Sequence, residues 1–188
     1  ESGTLTVEVL LDKDEQNIEN AHEKIKESIV TIVQEKAEDH QPILMNQLSS
    51  IDKQNITPKN VKVLSGTLIK KENISIDDSH YGKDRVERKL YTAIIPMRKN
   101  HLSIRIKKYE QIILSNTNRF NIDPAIIFAI IETESAFNPK AKSHAPAYGL
   151  MQLVPQTGAR DAYNYIYKRD KLLKSGYLYD PVKNIELG

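Results

Sequence analysis

The chain begins with an alternation. In Gly3-Thr4-Leu5-Thr6-Val7-Glu8-Val9-Leu10 the apolar Leu5, Val7 and Val9 interleave with Thr4, Thr6 and Glu8, the two-residue period of a half-buried strand. The period then changes. From about Asp14 to Glu38, Ile18, Ala21, Ile25, Ile29, Ile32 and Val33 recur at steps of three and four, which predicts one long amphipathic helix with Glu and Lys on its other face. Pro42 interrupts this pattern, and Ile43-Leu44-Met45 with Leu48 predicts a short second helix. A short strand is expected around Val61 to Ile69, and the polar, turn-rich run from Lys70 to Arg85 is expected to be a mobile loop. Val86 to Ile95 alternates again and reads as a strand that Pro96 stops.

Beyond about His101 the three-to-four period persists to the end. Leu102, Ile106, Tyr109 and Ile113 form one stripe, Asn121 closes that helix, and Asp123-Pro124 supplies an N-cap and a first-turn proline for the next. Ala125 to Ile131 is apolar at every position, so this helix is expected to be buried all round. The fold class predicted is α+β, with a small α/β module over residues 1–98 and an all-α domain over 99–188. No internal repeat or low-complexity segment is found.

Charge divides the chain at the same place. Residues 1–88 hold 17 acidic against 12 basic side chains and residues 89–188 hold 8 against 15, so an overall +2 conceals a basic second half. Such a field suits an anionic partner, with nucleic acid, anionic lipid and acidic glycan all eligible. The basic residues are dispersed and no RNA-binding signature or aromatic stacking stripe accompanies them, which argues against nucleic acid. The longest apolar run, Ala125 to Ile131, is far short of the roughly 20 residues a membrane span needs. There is no Cys, and His22, His40, His80, His101 and His144 show no metal-ligand spacing, so neither a metal nor another cofactor is expected. The chain opens on Glu1-Ser2-Gly3-Thr4 without a signal peptide, and export is not readable from it.

The chemistry is concentrated in "ETESAFNPKAKSHAPAYGLMQLVP", residues 132–155, where the apolar helix ends in two carboxylates. Each residue turns the helix by about 100°, so Glu132 and Glu134 face nearly opposite ways. Glu132 continues the stripe of Ala125, Phe128 and Ala129; Glu134 continues that of Ile127, Ile130 and Ile131. A carboxylate held against such side chains is desolvated, stays protonated more readily and can serve as a general acid. Spacing alone does not choose between the two, nor between this role and pairing with Lys140, Lys142 or Arg160.

"TESAFNP" at 133–139, "SHAPAYGLMQLVP" at 143–155 and "NIELG" at 184–188 resemble consecutive blocks of the soluble-lytic-transglycosylase family, a lysozyme-like helical fold that cleaves peptidoglycan. The likeness covers roughly residues 100–188. "GTLTVEV" and "LYTAIIPMRKNHL" are similar to the N-terminal domain of a membrane-bound branch of that family. By position, the resemblance makes Glu134 the catalytic acid. It makes Ser135 a support for the helix end, Ser143 the serine beside the acid, Gln152 the substrate-contacting glutamine and Val154 the residue whose backbone carbonyl faces the glycan. Gly149, lacking Cβ, suits close approach of ligand and backbone. Pro139 and Pro146 stiffen the loop.

The resemblance implies a peptidoglycan lytic transglycosylase that cleaves the MurNAc–GlcNAc β-1,4 bond and leaves 1,6-anhydro-MurNAc, with Glu134 as acid and then base. No second catalytic acid is evident: Asp161, Asp170 and Asp180 lie outside the matched blocks. It also implies a periplasmic place in the bacterial envelope, outer-membrane anchoring through an N-terminal lipidated Cys that this sequence does not contain, and glycan strands as partner. Ala162-Tyr163-Asn164 spells the family's later cleft block but precedes Asn184, so Tyr163 is expected to pack on a helix, and the chain is expected to stop inside the catalytic domain with apolar surface uncovered. The alternatives are a muramidase that uses water and leaves reducing ends, and a non-catalytic peptidoglycan-binding module.

Overall fold

In the computed structural model, residues 3–12, 15, 17–81 and 86–188 are described, the side chains of 78–81 excepted. The chain forms two compact units, one of Glu1–Glu35 with Leu44–His101, the other of Lys36–Ile43 with Leu102–Gly188. Together they are α+β: a three-stranded sheet in the first and helices in the second.

The first unit is built on an antiparallel sheet of order β1-β3-β2, from β1 (Thr4–Asp12), β2 (Ile74–Tyr81) and β3 (Glu87–Pro96). Register follows side-chain alternation. Val7 faces Ala93 and Leu5 faces Ile95 across β1 and β3, which brings Val7, Ala93 and Ile95 to the buried side, while Thr6 and Glu8 stand outward. Helix α1 (Ile18–Gln34) covers that side with Ala21, Ile25, Ile29 and Val33, all fully buried at four-residue steps. The Asn17 side chain caps it, accepting the Asn20 N–H at 2.7 Å. The helix is shorter than the expected span of about Asp14 to Glu38, ending at Gln34 where Glu35 turns extended; Asp14 itself lies outside the described residues, as does the stretch from 82 to 85 in the predicted loop.

Three expectations for this unit fail. Val61 to Ile69 is not a strand but a short helix, α2 (Val61–Leu64), running into a 3₁₀ turn at Ser65–Thr67. Ser65 and Thr67 bend the chain there, and the Thr67 hydroxyl donates to Leu64 O at 2.7 Å. The stretch read as a mobile loop holds β2, whose Ile74 pairs with Ala93 and is buried. No helix forms at 43–48; Leu48 is fully buried and bridges to Met97 instead. Because Ile29 is sealed in this core, Ile29→Ala is expected to cost about 2–5 kcal/mol. Denaturant unfolding followed by far-ultraviolet circular dichroism measures the loss.

The second unit runs through α3 (His101–Phe120), α4 (Pro124–Ser135), α5 (Gly158–Tyr167), α6 (Ser175–Leu178) and α7 (Pro181–Leu187). One apolar cluster gathers Tyr109, Ile113, Ile127, Ile131, Phe137, Leu150, Met151 and Ile185; a second gathers Ala159, Leu173, Leu178 and Leu187. Tyr163 packs against the second, its ring 6.0 Å from that of Tyr177, as expected of a helix-packing tyrosine. Burial raises the Tyr109 hydroxyl far above the ordinary tyrosine range, with Asp39 adding to the shift.

The expectation that α4 is buried on every side is corrected. Only Ile127 and Ile131 are buried, while Ile126 and Ile130 are 53% and 37% exposed. The reason is compositional: the run from Ala125 to Ile131 has no polar residue and so carries no amphipathic signal, and tertiary packing alone decides which stripe is covered.

Candidate active site

Helix α4 opens on the Asp123 cap, whose carboxylate accepts the Ala125 N–H at 2.9 Å, with Pro124 in its first turn. It ends in the Ser135–Phe137 corner. Ala136 and Phe137 both adopt positive φ, 47° and 58°, and Ala136 N–H returns to Glu132 O at 3.0 Å, which stops the helix one turn after Ile131. The Ser135 hydroxyl donates to Ile131 O at 3.0 Å. Phe137 buries completely below the corner, fixing where the last turn points. Arg105 of α3 holds it from outside, donating from Nη1 to Ala136 O at 2.9 Å; burial lowers this guanidinium below its usual range.

Glu134 stands on that last turn, exposed, with its carboxylate in no hydrogen bond or ion pair among the described residues. Glu132 is exposed too, so neither acid has the apolar surround that an all-buried helix would give it. The basic partners considered for them are taken elsewhere: Lys140 pairs with Glu38 at 2.9 Å, Arg160 pairs with Asp170, and Lys142 lies 5.9 Å from the Tyr148 ring centre. Glu134 continues the exposed stripe of Ile126 and Ile130, at four-residue steps.

The loop after the corner folds on itself. Ser143 is exposed; its hydroxyl contacts Ala145 O and accepts the Ala147 N–H at 3.3 Å, and none of its bonds reaches Glu134. Tyr148 and Leu153 exchange both backbone hydrogen bonds at 3.1 Å, closing the turn Gly149-Leu150-Met151-Gln152 between them. Gly149 takes φ of +79°, and the close approach its missing Cβ permits is made within the chain, by Leu178 O and the Asn184 side chain. Gln152 is half-buried, and its Nε2 donates to Gly149 O at 2.8 Å and Ala141 O at 3.1 Å. The Val154 carbonyl accepts from Thr157 N–H at 3.3 Å and Ala159 N–H at 3.1 Å, tying the loop to the start of α5. Ser143, Gly149 and Gln152 thus share one hydrogen-bonded loop, which follows Glu134 and Ser135 along the chain.

Asn184 was not singled out in the sequence, although it begins the matched "NIELG". It is fully buried on α7, accepts the Met151 N–H on Oδ1 at 2.7 Å, and donates from Nδ2 to Tyr148 O at 2.9 Å and Leu178 O at 2.7 Å. The available signal was a lone Asn inside a short helix, where its side chain disfavours helix and calls for a partner. An apolar cavity of about 320 Å³ lies elsewhere in this unit, bordered by Phe120, Ile127, Tyr165 and Ile185, and none of the predicted site residues lines it. No group of three or more potential metal ligands occurs among the described residues.

The family described as the transglycosylase SLT domain matches residues 111–188, from mid-α3 to the end of α7 and across the whole loop. Over those residues the chain is similar to the transglycosylase SLT domain family. The membrane-bound lytic murein transglycosylase C of Haemophilus influenzae strain PittEE is 44% identical over 94 residues, 50% of this chain and 26% of that relative. The protein of the same name from Histophilus somni strain 2336 is 43% identical over 96 residues, 51% and 26%. The chain thus spans about a quarter of the length of these curated relatives. Among solved structures, the 70 kDa soluble lytic transglycosylase of Escherichia coli is 34% identical over 43% of this chain and 13% of its own, with a TM-score of 0.37.

Proposed function

We propose that this chain belongs to a peptidoglycan lytic transglycosylase in which Glu134 is the acid and base. The observation that carries the reading is the state of Glu134: within the matched family segment, an exposed carboxylate without a partner stands on the last turn of α4, just before a hydrogen-bonded loop in the chain. An acid committed to an ion pair would have to break it before transferring a proton; this one has none to break.

In the proposed reaction Glu134 gives its proton to the oxygen linking MurNAc to GlcNAc, and that C–O bond breaks with both electrons leaving on oxygen. The MurNAc 6-hydroxyl then bonds to C1 while its proton passes to Glu134, which regenerates the acid and leaves a 1,6-anhydro ring. Water is not consumed. Ser143, Gln152 and Val154 lie along the glycan in this reading, and Ser135 and Gly149 serve by keeping the helix end and the turn in shape. Residues 99–188 form the catalytic domain and residues 1–98 an accessory domain of opposite charge. The basic field of the second half suits glycan strands bearing acidic peptides. The relatives' name supports a cell-envelope location, which we take as periplasmic with an outer-membrane tether; no helix among the described residues is long and apolar enough to cross a membrane.

Mass spectrometry of the muropeptides released from purified peptidoglycan tests the proposal. Anhydro-MurNAc ends support it. Reducing ends would mean a muramidase, and retention on peptidoglycan without cleavage would mean a binding module; either overturns it.

A further inference from the structure

The geometry points to Asn184 as a positioning residue that holds the turn 148–153 so that Gln152 Oε1 is presented to a donor group of the glycan; the inference rests on the function proposed above. Three hydrogen-bonding positions of the Asn184 amide are filled: Oδ1 by Met151 N–H at 2.7 Å, and the two Nδ2 protons by Tyr148 O at 2.9 Å and Leu178 O at 2.7 Å. Two of these partners belong to the turn itself, one before Gln152 at Tyr148 and one adjacent to it at Met151. Leu178 ends α6, so the same amide fastens the turn to a second element.

Gln152 translates that grip into an orientation. Its backbone is at φ of 47° with its N–H on Gly149 O at 3.3 Å, and its Nε2 lies between the carbonyls of Gly149 and Ala141. Two carbonyl neighbours fix which end of the amide is nitrogen, since an oxygen there would face two acceptors. Oε1 is therefore turned away from them, and no hydrogen bond occupies it among the described residues. An amide oxygen so placed accepts from a sugar hydroxyl or an acetamido N–H. If the turn loosens, the Gly149 carbonyl moves and Gln152 loses its orientation, although nothing of Asn184 itself touches the glycan.

The test uses the full protein and four variants: Asn184→Asp, Gln152→Ala, the pair combined, and Asn184→Ala as a second probe of the same site. Asp has the size of Asn and can still accept from Met151, but when ionised it offers nothing to Tyr148 O and Leu178 O. KM and kcat on solubilised peptidoglycan are measured where tyrosine fluorescence shows the protein folded. We expect Asn184→Asp to raise KM about tenfold with kcat within about threefold, and the double variant to be no worse than Gln152→Ala alone, because both changes remove one contact. The KM ratio to wild type should fall as the pH is lowered and the new carboxyl regains a donor proton. A role confined to stability would lower the folded fraction and kcat and leave KM unmoved. A wild type that cleaves while Asn184→Asp and Asn184→Ala keep its KM, or KM effects that simply multiply, overturns this inference alone. A wild type without glycan cleavage overturns the proposed function and this inference with it.

Discussion

Glu134→Gln is expected to abolish anhydro-MurNAc ends, with kcat lower by about 10²- to 10⁴-fold, the usual worth of one general acid–base group. Gln keeps the shape of the side chain and removes only the transferable proton. Since Glu134 is exposed and holds no partner, the substitution should move stability by no more than about 0.5 kcal/mol, so loss of activity cannot be blamed on unfolding. Glu132 supplies the internal control. It is also exposed, on the nearly opposite side of α4, and Glu132→Gln should leave the rate within about twofold. Muropeptide mass spectrometry and reducing-end assays on both variants decide the matter: if Glu132→Gln silences the protein and Glu134→Gln does not, the acid is misassigned.

What the sequence revealed depended on whether each element carries its own periodic signal. β1 and α1 could be read because their buried residues alternate with polar ones at the period of the element, and α4 began where Asp123-Pro124 said it should because capping is local chemistry. β2 was hidden because its alternation is short and set in polar sequence, and only pairing with β3 settles it. Val61–Leu64 misleads in the opposite way, since the β-branched Val61 and Val63 favour a strand in isolation. At the candidate site, Glu134, Ser143 and Gln152 are singled out by resemblance alone, since spacing leaves Glu132 equally eligible. Asn184 and Arg105 were missed because their partners are backbone carbonyls and amides contributed from far along the chain, which no local pattern encodes.

The second large effect is expected at Gly149, where conformation and space coincide. The residue sits at φ of +79°, which costs a residue with a side chain roughly 1–2 kcal/mol. A Cβ there would also lie 2.9 Å from Asn184 Cγ and closer still to Leu178 O and Asn184 Nδ2. The first is a fully buried side chain tied by three hydrogen bonds and the second is backbone, so neither can swing aside as the tip of an exposed lysine would. Overpacking of this kind adds about 1–3 kcal/mol, giving roughly 2–5 kcal/mol for Gly149→Ala. With a urea slope of about 2 kcal/mol/M, the midpoint should drop by about 1–2.5 M. Seven of the nine tyrosines lie in the second unit and there is no Trp, so tyrosine fluorescence reports chiefly the unit that carries the change. Gly176→Ala is the matched control: its Cβ would meet nothing within 4 Å, and removing glycine's freedom there should be neutral or stabilising by up to about 1 kcal/mol. Equal midpoints for the two variants would mean that the turn is not clamped between Leu178 and Asn184, and would remove the physical basis for calling Asn184 its anchor.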